Sequence, residues 1–396
     1  MTLHLHPNEF AQRRAKLMQT IGKGNIGIIA AAPEYLRNGD THYPYRQDSN
    51  FYYLTGFPEP EAMAVFAPGR PEGEYILFCR AKDPVKEIWD GPRVGPEKAR
   101  VEYGAQQVFP IQEFETRKAE LIANRNVVDL KPHVAEMRLH KSDGEIRLMR
   151  KAAEVSMQGH TRAMQCCRPG LTEAYLEAEL LHEFTQHGCR AVAYPSIVAG
   201  GINSCTLHYT DNNAELRKGD LVLIDAGCEY QYYASDITRT FPINGKFSTA
   251  QREIYEIVLA AQLAAIEQIR PGLPFSETQQ TVVKILTQGL TDLDILKNNV
   301  DLKNFYMHGA GHWLGMDVHD AGAYKINDVW RPLEPGMVIT VEPGIYIAPN
   351  SKDVDPKWWG IGIRIEDDVL VTANGHEVLT AALPKTVSDI EALMAK

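Results

Sequence analysis

GDLVLIDAG, residues 219–227, and GMVITVEPG, residues 336–344, decide the architecture. Each opens and closes on glycine and carries an apolar run. Each places a carboxylate, Asp225 or Glu342, at the sixth residue after the first glycine. A second match stands upstream: Arg168-Pro169-Gly170-Leu171 and Arg270-Pro271-Gly272-Leu273 each follow one helical pattern and precede another. The copies are offset by 102 residues at the Arg-Pro-Gly-Leu pair and by 117 at the carboxylates, leaving 15 residues of insertion. Two matches in the same order point to duplication of a helix–helix–strand unit. The expected result is two similar halves about a pseudo-twofold axis, with a site between them.

A buried run such as Leu221–Ile224 that ends in Asp225 is costly unless the charge is paired or bound to a cation. Tyr232–Phe241 reads as a strand returning after a short turn, and Asp236 lies on it. A hairpin then sets Asp225 and Asp236 side by side, where they repel unless a cation relieves them. Further on, MHGAGHWLG (307–315) and Val318-His319-Asp320 place three histidines, His308, His312 and His319, within twelve residues. The small residues between the first two argue against a helix and for an extended segment that brings the backbone close to a ligand. GIGIRIEDD (360–368) alternates cleanly, with Ile361, Ile363 and Ile365 on one side and Gly362, Arg364 and Glu366 on the other. A strand with that second face suits a polar cavity.

Asp225, Asp236, Glu342 and Glu366 together carry a charge that two divalent cations balance. With His312 they form an oxygen-rich donor set suited to Mn²⁺, Co²⁺ or Mg²⁺ rather than a thiolate-type zinc site. Bridging carboxylates also fit the metal spacing of two-metal hydrolases, about 3.5–4 Å.

The 396-residue chain is 44% hydrophobic and 23% charged, ordinary for a globular protein of two domains. With 41 Lys and Arg against 51 Asp and Glu its net charge is −10, and no basic block marks a nucleic-acid partner. No apolar run reaches the ~20 residues that cross a bilayer, and Met1–Lys16 lacks a signal-peptide core. Six scattered cysteines without a Cys-x-x-Cys pair make a disulfide framework or structural zinc site a poor fit. These features favour the cytoplasm. Residues 1–140 mix strands and helices: Asn25–Ala32 and Tyr75–Cys79 read as buried strands, Tyr43–Phe57 as an aromatic, turn-rich stretch, and Ile88–Pro92 as a loop. Ser142-Asp143-x-Glu145 is a helix-start signature opening a long helix to about Cys167. The domain boundary falls near 137–142, giving domains of 1–140 and 141–396.

Four blocks carry a family resemblance: LHYTDN (207–212), LVLIDAGCEYQYYASDITRTFP (221–242), FYMHGAGHWLGMDVHD (305–320), and VEPGIYI (341–347) with GIGIRIEDD. By their order and spacing the chain resembles the pita-bread metallopeptidases and, within them, bacterial aminopeptidase P, the Xaa-Pro aminopeptidases. YPYRQDSNFYYLTGFPEPEA (43–62) and EIWDG (87–91) extend the likeness into the N-terminal part. Methionine aminopeptidases share the ligand pattern but usually lack such a domain. The resemblance implies an α/β fold: an N-terminal α/β domain with a mixed sheet, followed by a catalytic pita-bread domain with a pseudo-twofold α+β repeat.

The resemblance also implies roles. The family's five metal ligands fall on Asp225, Asp236, His312, Glu342 and Glu366, with Asp236 and Glu366 bridging. The cofactor implied is two divalent ions per subunit, Mn²⁺ ahead of Co²⁺ or Zn²⁺. His208, His308 and His319 match histidines that bind substrate or shuttle protons. Arg364 matches an arginine that supports the site, and Tyr346 and Tyr194 match aromatic positions near it. Asp40 and Trp89 match positions that shape an active site in tetrameric members, Asp40 that of a neighbour. The activity implied is release of the first residue from Xaa-Pro peptides by a hydroxide bridging two metals. Glu342 takes its proton, His319 or His208 stabilises the oxyanion, and His308, Tyr346 and Arg364 wall the proline ring. A homotetramer acting on peptides follows, with no nucleic-acid or membrane partner. Three alternatives keep the fold: a prolidase limited to dipeptides, a non-catalytic binding protein, and a creatinase-type C–N hydrolase that needs no metals.

Overall fold

The computed structural model describes residues 3–297 and 301–395. It divides into two compact units, one over His4–Arg138 and a larger one from Leu139 onward.

The smaller unit is built on a five-stranded mixed sheet. In spatial order its strands are Gln107–Pro110, Tyr75–Cys79, Met63–Phe66, Asn25–Ala30 and Asn126–Val128. The two outer pairings are parallel and the inner two antiparallel. Tyr75–Cys79 is buried throughout, so its unbroken apolar run reads correctly as a central strand. Asn25–Ala30 stops two residues before the expected end, and only Ile26 and Gly27 in it are buried. Ile26, Val65, Ile76, Phe78 and Phe114 form the core beneath the sheet. Phe51, Tyr53 and Phe57 from the aromatic stretch are also buried within this unit.

The segment expected as a loop at Ile88–Pro92 is instead the end of a helix, Pro84–Asp90. Asp83 caps it by accepting from the Val85 and Lys86 N–H groups, Pro84 fits its first turn, and Gly91 ends it with φ +84°. These start and stop signals frame a helix that lacks a buried face, which is why apolar periodicity does not reveal it.

The larger unit contains the repeat. Helices Asp143–Cys166 and Glu173–Gln186 pack as one pair, and Thr249–Glu267 and Ser276–Asp292 as the second. The first helix begins with a full capping box, Ser142 against Glu145, and the third with Ser248 against Gln251. Each Arg-Pro-Gly-Leu loop is tied to the segment before its carboxylate strand by the same two bonds. Gly170 N–H donates to Leu216 C=O and Leu216 N–H returns to Leu171 C=O; Gly272, Leu333 and Leu273 repeat the pattern. The loop-to-strand span is longer in the second half, 272 to 333 against 170 to 216, so the entire 15-residue difference lies there.

Strand Leu221–Asp225 lies between Ile197–Gly200 and Thr238–Pro242, antiparallel to both. In the second half Val338–Val341 pairs with Asp367–Thr372, which pairs with Gly375–Val378. Leu221–Asp225, which ends on its carboxylate, and Val338–Val341, which stops just before Glu342, are both buried along their length. Among the described residues no helix is long and apolar enough to cross a membrane.

Candidate active site

The strand expected over Tyr232–Phe241 is interrupted. Tyr233–Ala234 pairs with Cys228–Tyr230, Thr238–Pro242 pairs with Leu221–Asp225, and Asp236 lies between the two. The break has identifiable bonds. Asp236 N–H turns to the Asp368 carboxylate, at 3.2 Å, rather than to a neighbouring strand, and Ser235 Oγ reaches the same group at 2.9 Å. Gly227 makes room for this: a Cβ there would lie 1.7 Å from Ser235 O.

Gly360–Asp368, expected as one strand, is likewise two. Ile361–Arg364 pairs with Gly344–Ile347, and Asp367–Thr372 joins the other sheet. Glu366 falls at the crossing, its N–H on Thr238 C=O. The alternation still orients the side chains as read, because Arg364 and Glu366 both line the cavity.

That cavity encloses about 550 Å³. Asp225, Asp236, His312, Glu342 and Glu366 all border it, together with Tyr194, His208, His308, His319 and Arg364. Ligating atoms of Asp236, His312 and Glu366 lie within 4.8 Å of one another. Tyr194 donates to Oδ1 of Asp225 at 2.6 Å and approaches Oδ1 of Asp236 at 2.5 Å, so those carboxylates are indeed neighbours. The segment through His312 is non-helical, as expected. The close approach that its glycine permits is to another strand: a Cβ on Gly311 would meet Thr340 O at 1.9 Å.

Each first ring of contacts has a support. His312 Nδ1 lies 3.0 Å from Trp313 C=O, which fixes the proton there and aims Nε2 at Asp236 (3.3 Å) and Glu342 (3.5 Å). Arg364 donates to Asp225 Oδ2 at 2.6 Å, to the Tyr346 hydroxyl at 2.8 Å and to Thr238 Oγ1 at 3.1 Å. Thr238 in turn donates to Glu366 at 2.7 Å. Tyr346 completes a chain to His308 Nε2 at 2.8 Å, while His308 Nδ1 faces Gly309 C=O at 2.8 Å. Spacing did not single out Thr238, Thr340 or Asp368. Thr238 stands two residues after Asp236 in an alternating run, and Asp368 closes the quoted GIGIRIEDD; those positions were the available signals.

The electrostatics are those of crowded carboxylates. Burial pushes Glu342 up to about 7, against His312 and with reinforcement from Asp236. Glu366 rises far above its usual range through burial and the neighbouring Asp236, Glu342 and Asp225. Burial opposes charge on His312 too, but Asp236 and Glu342 outweigh it and lift the imidazole to about 9. His308 is pushed the other way, to about 4, by burial and by Arg364. A set of oxygen donors with surplus negative charge and one Nε2 anchored through its other nitrogen fits hard or borderline divalent cations.

Asp40 and Trp89 belong to the smaller unit, where both are exposed, Trp89 at 84%. They make no part of the cavity lining.

Residues 147–373 match Metallopeptidase family M24, and residues 10–128 match the N-terminal domain of aminopeptidase P. The chain belongs to metallopeptidase family M24, a family that works with divalent metal ions. It is 46% identical to an Xaa-Pro aminopeptidase of Haemophilus influenzae, across 98% of each chain. Among solved structures it is similar to aminopeptidase PepP of Pseudomonas aeruginosa, with a TM-score of 0.96 and 49% identity over 100% of this chain and 99% of that one. The zinc-substituted aminopeptidase P of Escherichia coli in complex with product aligns with a TM-score of 0.95 and 44% identity, covering 99% of each chain.

Proposed function

We propose that the protein is an enzyme that releases the N-terminal residue from peptides with proline in second place. Asp225, Asp236, His312, Glu342 and Glu366 would hold two divalent cations, with Mn²⁺ as the working metal. The observation that carries this is the convergence of four carboxylates and one anchored imidazole on a single cavity in an M24 chain. When bound, the cations supply Lewis acidity and bring the pKa of a water towards neutrality.

The chain's own groups do the rest. Glu342 borders the cavity and accepts the proton of the attacking water, then delivers it to the leaving nitrogen. The acyl C–N bond breaks, the water oxygen ends on the carboxylate of the first residue, and both water protons end on the proline nitrogen, which leaves as a protonated secondary amine. His319 and His208 face the cavity and donate to the oxyanion as it develops. A peptide nitrogen within proline has no N–H to recognise, so selection depends on ring shape. His308 and Arg364 border the cavity, and the 2.8 Å bond that each makes to the hydroxyl of Tyr346, buried behind them, holds them as a fixed wall. Tyr194 holds Asp225 beside Asp236.

Metal-depleted protein resupplied with Mn²⁺, Co²⁺ or Zn²⁺ and assayed on Xaa-Pro-Yaa and Xaa-Ala-Yaa peptides tests these points together. Mn²⁺ should restore the highest rate. Alanine in second place should lower kcat/KM by at least about 10-fold, because loss of a ring from a shaped pocket is worth ~1–3 kcal/mol. Equal cleavage of the two peptides would identify a general aminopeptidase instead.

We also infer a homotetramer working in the cytoplasm, with Asp40 and Trp89 contributing to active sites. Val85, Ile88 and Trp89 lie on one face of helix Pro84–Asp90 and are 70%, 80% and 84% exposed, an apolar face suited to burial on assembly. The six cysteines are all free thiols, in keeping with a reducing compartment. Light scattering at micromolar concentration should give a mass near four times 44.4 kDa. A fully active monomer would leave Asp40 and Trp89 without this role.

A further inference from the structure

Glu173 is the first residue of helix Glu173–Gln186 and is completely buried. Its Oε1 accepts from Gly200 N–H at 2.7 Å and from the Asn203 side-chain amide at 2.9 Å. Its Oε2 accepts from the Tyr209 hydroxyl and from Ala214 N–H, both at 2.8 Å. All four donors are neutral, and the positive end of the helix backbone adds to them, so the carboxylate is satisfied in the interior without a counter-ion. All four also belong to one stretch, residues 200–214.

That stretch carries His208. Residues 201–205 form a short 3₁₀ turn, and the chain then runs without regular structure to Asn213. Leu207 and Tyr209 pack against Ile197, Ala199, Leu223 and Tyr346. His208 is exposed and borders the cavity, as does Thr210. The stretch is fastened beyond them by Asn212, which accepts from Val198 N–H and donates to Ser196 C=O. Between Asn203 and Asn212 its one hydrogen-bonded side-chain tie to a helix, among the described residues, is Tyr209 to Glu173.

We propose that Glu173 is the positioning residue for His208. It fixes the path of residues 200–214 and so aims the imidazole into the cavity, without itself touching substrate or metal. This rests on His208 acting in the proposed reaction. The chemistry of the carboxylate makes the claim sharp. In Glu173→Gln the shape is kept, but an NH₂ group replaces one oxygen. Asn203 can flip and the Tyr209 hydroxyl can rotate to accept from it. The backbone N–H of Gly200 or of Ala214 cannot, so one of them loses its acceptor in either amide orientation.

The test is a double-mutant cycle of Glu173→Gln and His208→Ala on the metal-loaded protein, read as kcat and KM on an Xaa-Pro-Yaa peptide with metal content measured alongside. Glu173→Gln should keep the wild-type metal content, lower kcat about 10-fold and change KM less than about 2-fold. In the His208→Ala background the same change should cost less than about 2-fold. An unchanged kcat, or the same 10-fold loss in both backgrounds, overturns the positioning role. Full kcat in His208→Ala alone overturns the catalytic role of His208, a separate result read from the single variant. If Glu173→Gln fails to fold, Tyr209→Phe removes one of the four donors and carries the same cycle, with an expected loss of about 3-fold that disappears when His208 is absent.

Discussion

Asp236→Asn and Glu366→Gln should each lower kcat by at least about 100-fold, the scale on which metal ligands and activated water matter. Both substitutions keep side-chain volume and remove one negative charge. For Asp236 the change also places an amide where His312 Nε2 and Tyr194 now find carboxylate oxygens. For Glu366 it weakens the acceptor of the Thr238 hydroxyl, which links that carboxylate to Arg364. The surrounding framework does not depend on either charge: Asp236 N–H stays on Asp368 and Glu366 N–H on Thr238 C=O. The variants should therefore fold and bind less metal, as element analysis of purified protein would report. Full activity in either, with two metals still bound, would sink the shared-ligand assignment.

Arg239→Met should cost the larger unit much of its stability. Arg239 and Asp367 pair at 2.7 Å, and both side chains are completely buried. The guanidinium also donates to the carbonyls of Glu366, Leu383 and Pro384. Burial alone would raise the Asp367 carboxyl, but Arg239 and Lys385 outweigh it and bring it down to about 2. Removing one partner of such a pair costs about 3–5 kcal/mol, because it leaves a buried charge short of its counter-charge. At roughly 2–4 °C per kcal/mol for a unit of this size, calorimetry should show the transition falling by about 10 °C. Metal concentration must be held fixed, since ligand binding shifts the transition by itself. A fall of less than about 1 °C would mean that Lys385, Gln262 and Thr380 satisfy Asp367 without the arginine.

The repeat was legible because it is written twice in the same order, and the two loop pairings at Gly170 and Gly272 are its structural counterpart. Helix starts were legible where capping residues announce them, as at Ser142. The breaks within strands at Asp236 and Glu366 were not. Local alternation records which side a residue faces, whereas those breaks arise from partners more than 120 residues away: Asp368 for the Asp236 N–H and Thr238 for the Glu366 N–H. Of the cavity, the acidic and histidine residues could be listed because each is unusual beside an apolar run or a glycine. Thr238 and Thr340 are ordinary strand residues in sequence, and only the fold shows that one joins Arg364 to Glu366 and the other receives His312 N–H. Glu173 looked like any acidic residue in a helix's first turn, since its four donors lie 27 to 41 residues further along.

The carboxylates of the cavity come from both halves of the repeat, and this fixes when it can exist during synthesis. Asp225 and Asp236 are made early, while Glu366 follows Asp225 by 141 residues. At about 5–20 residues per second, a ribosome needs roughly 7–28 s to cover that interval. Over that interval the nascent chain gains Asp236, then His312, Glu342 and Arg364, and its set of four acidic groups stays incomplete until Glu366 is made. Arg239 must wait longer still, because its acceptors include the carbonyls of Leu383 and Pro384. A growing chain therefore offers a passing cation only a partial and open set of donors, and the hydrolytic centre forms only once translation has passed Glu366 and the carbonyls that hold Arg239.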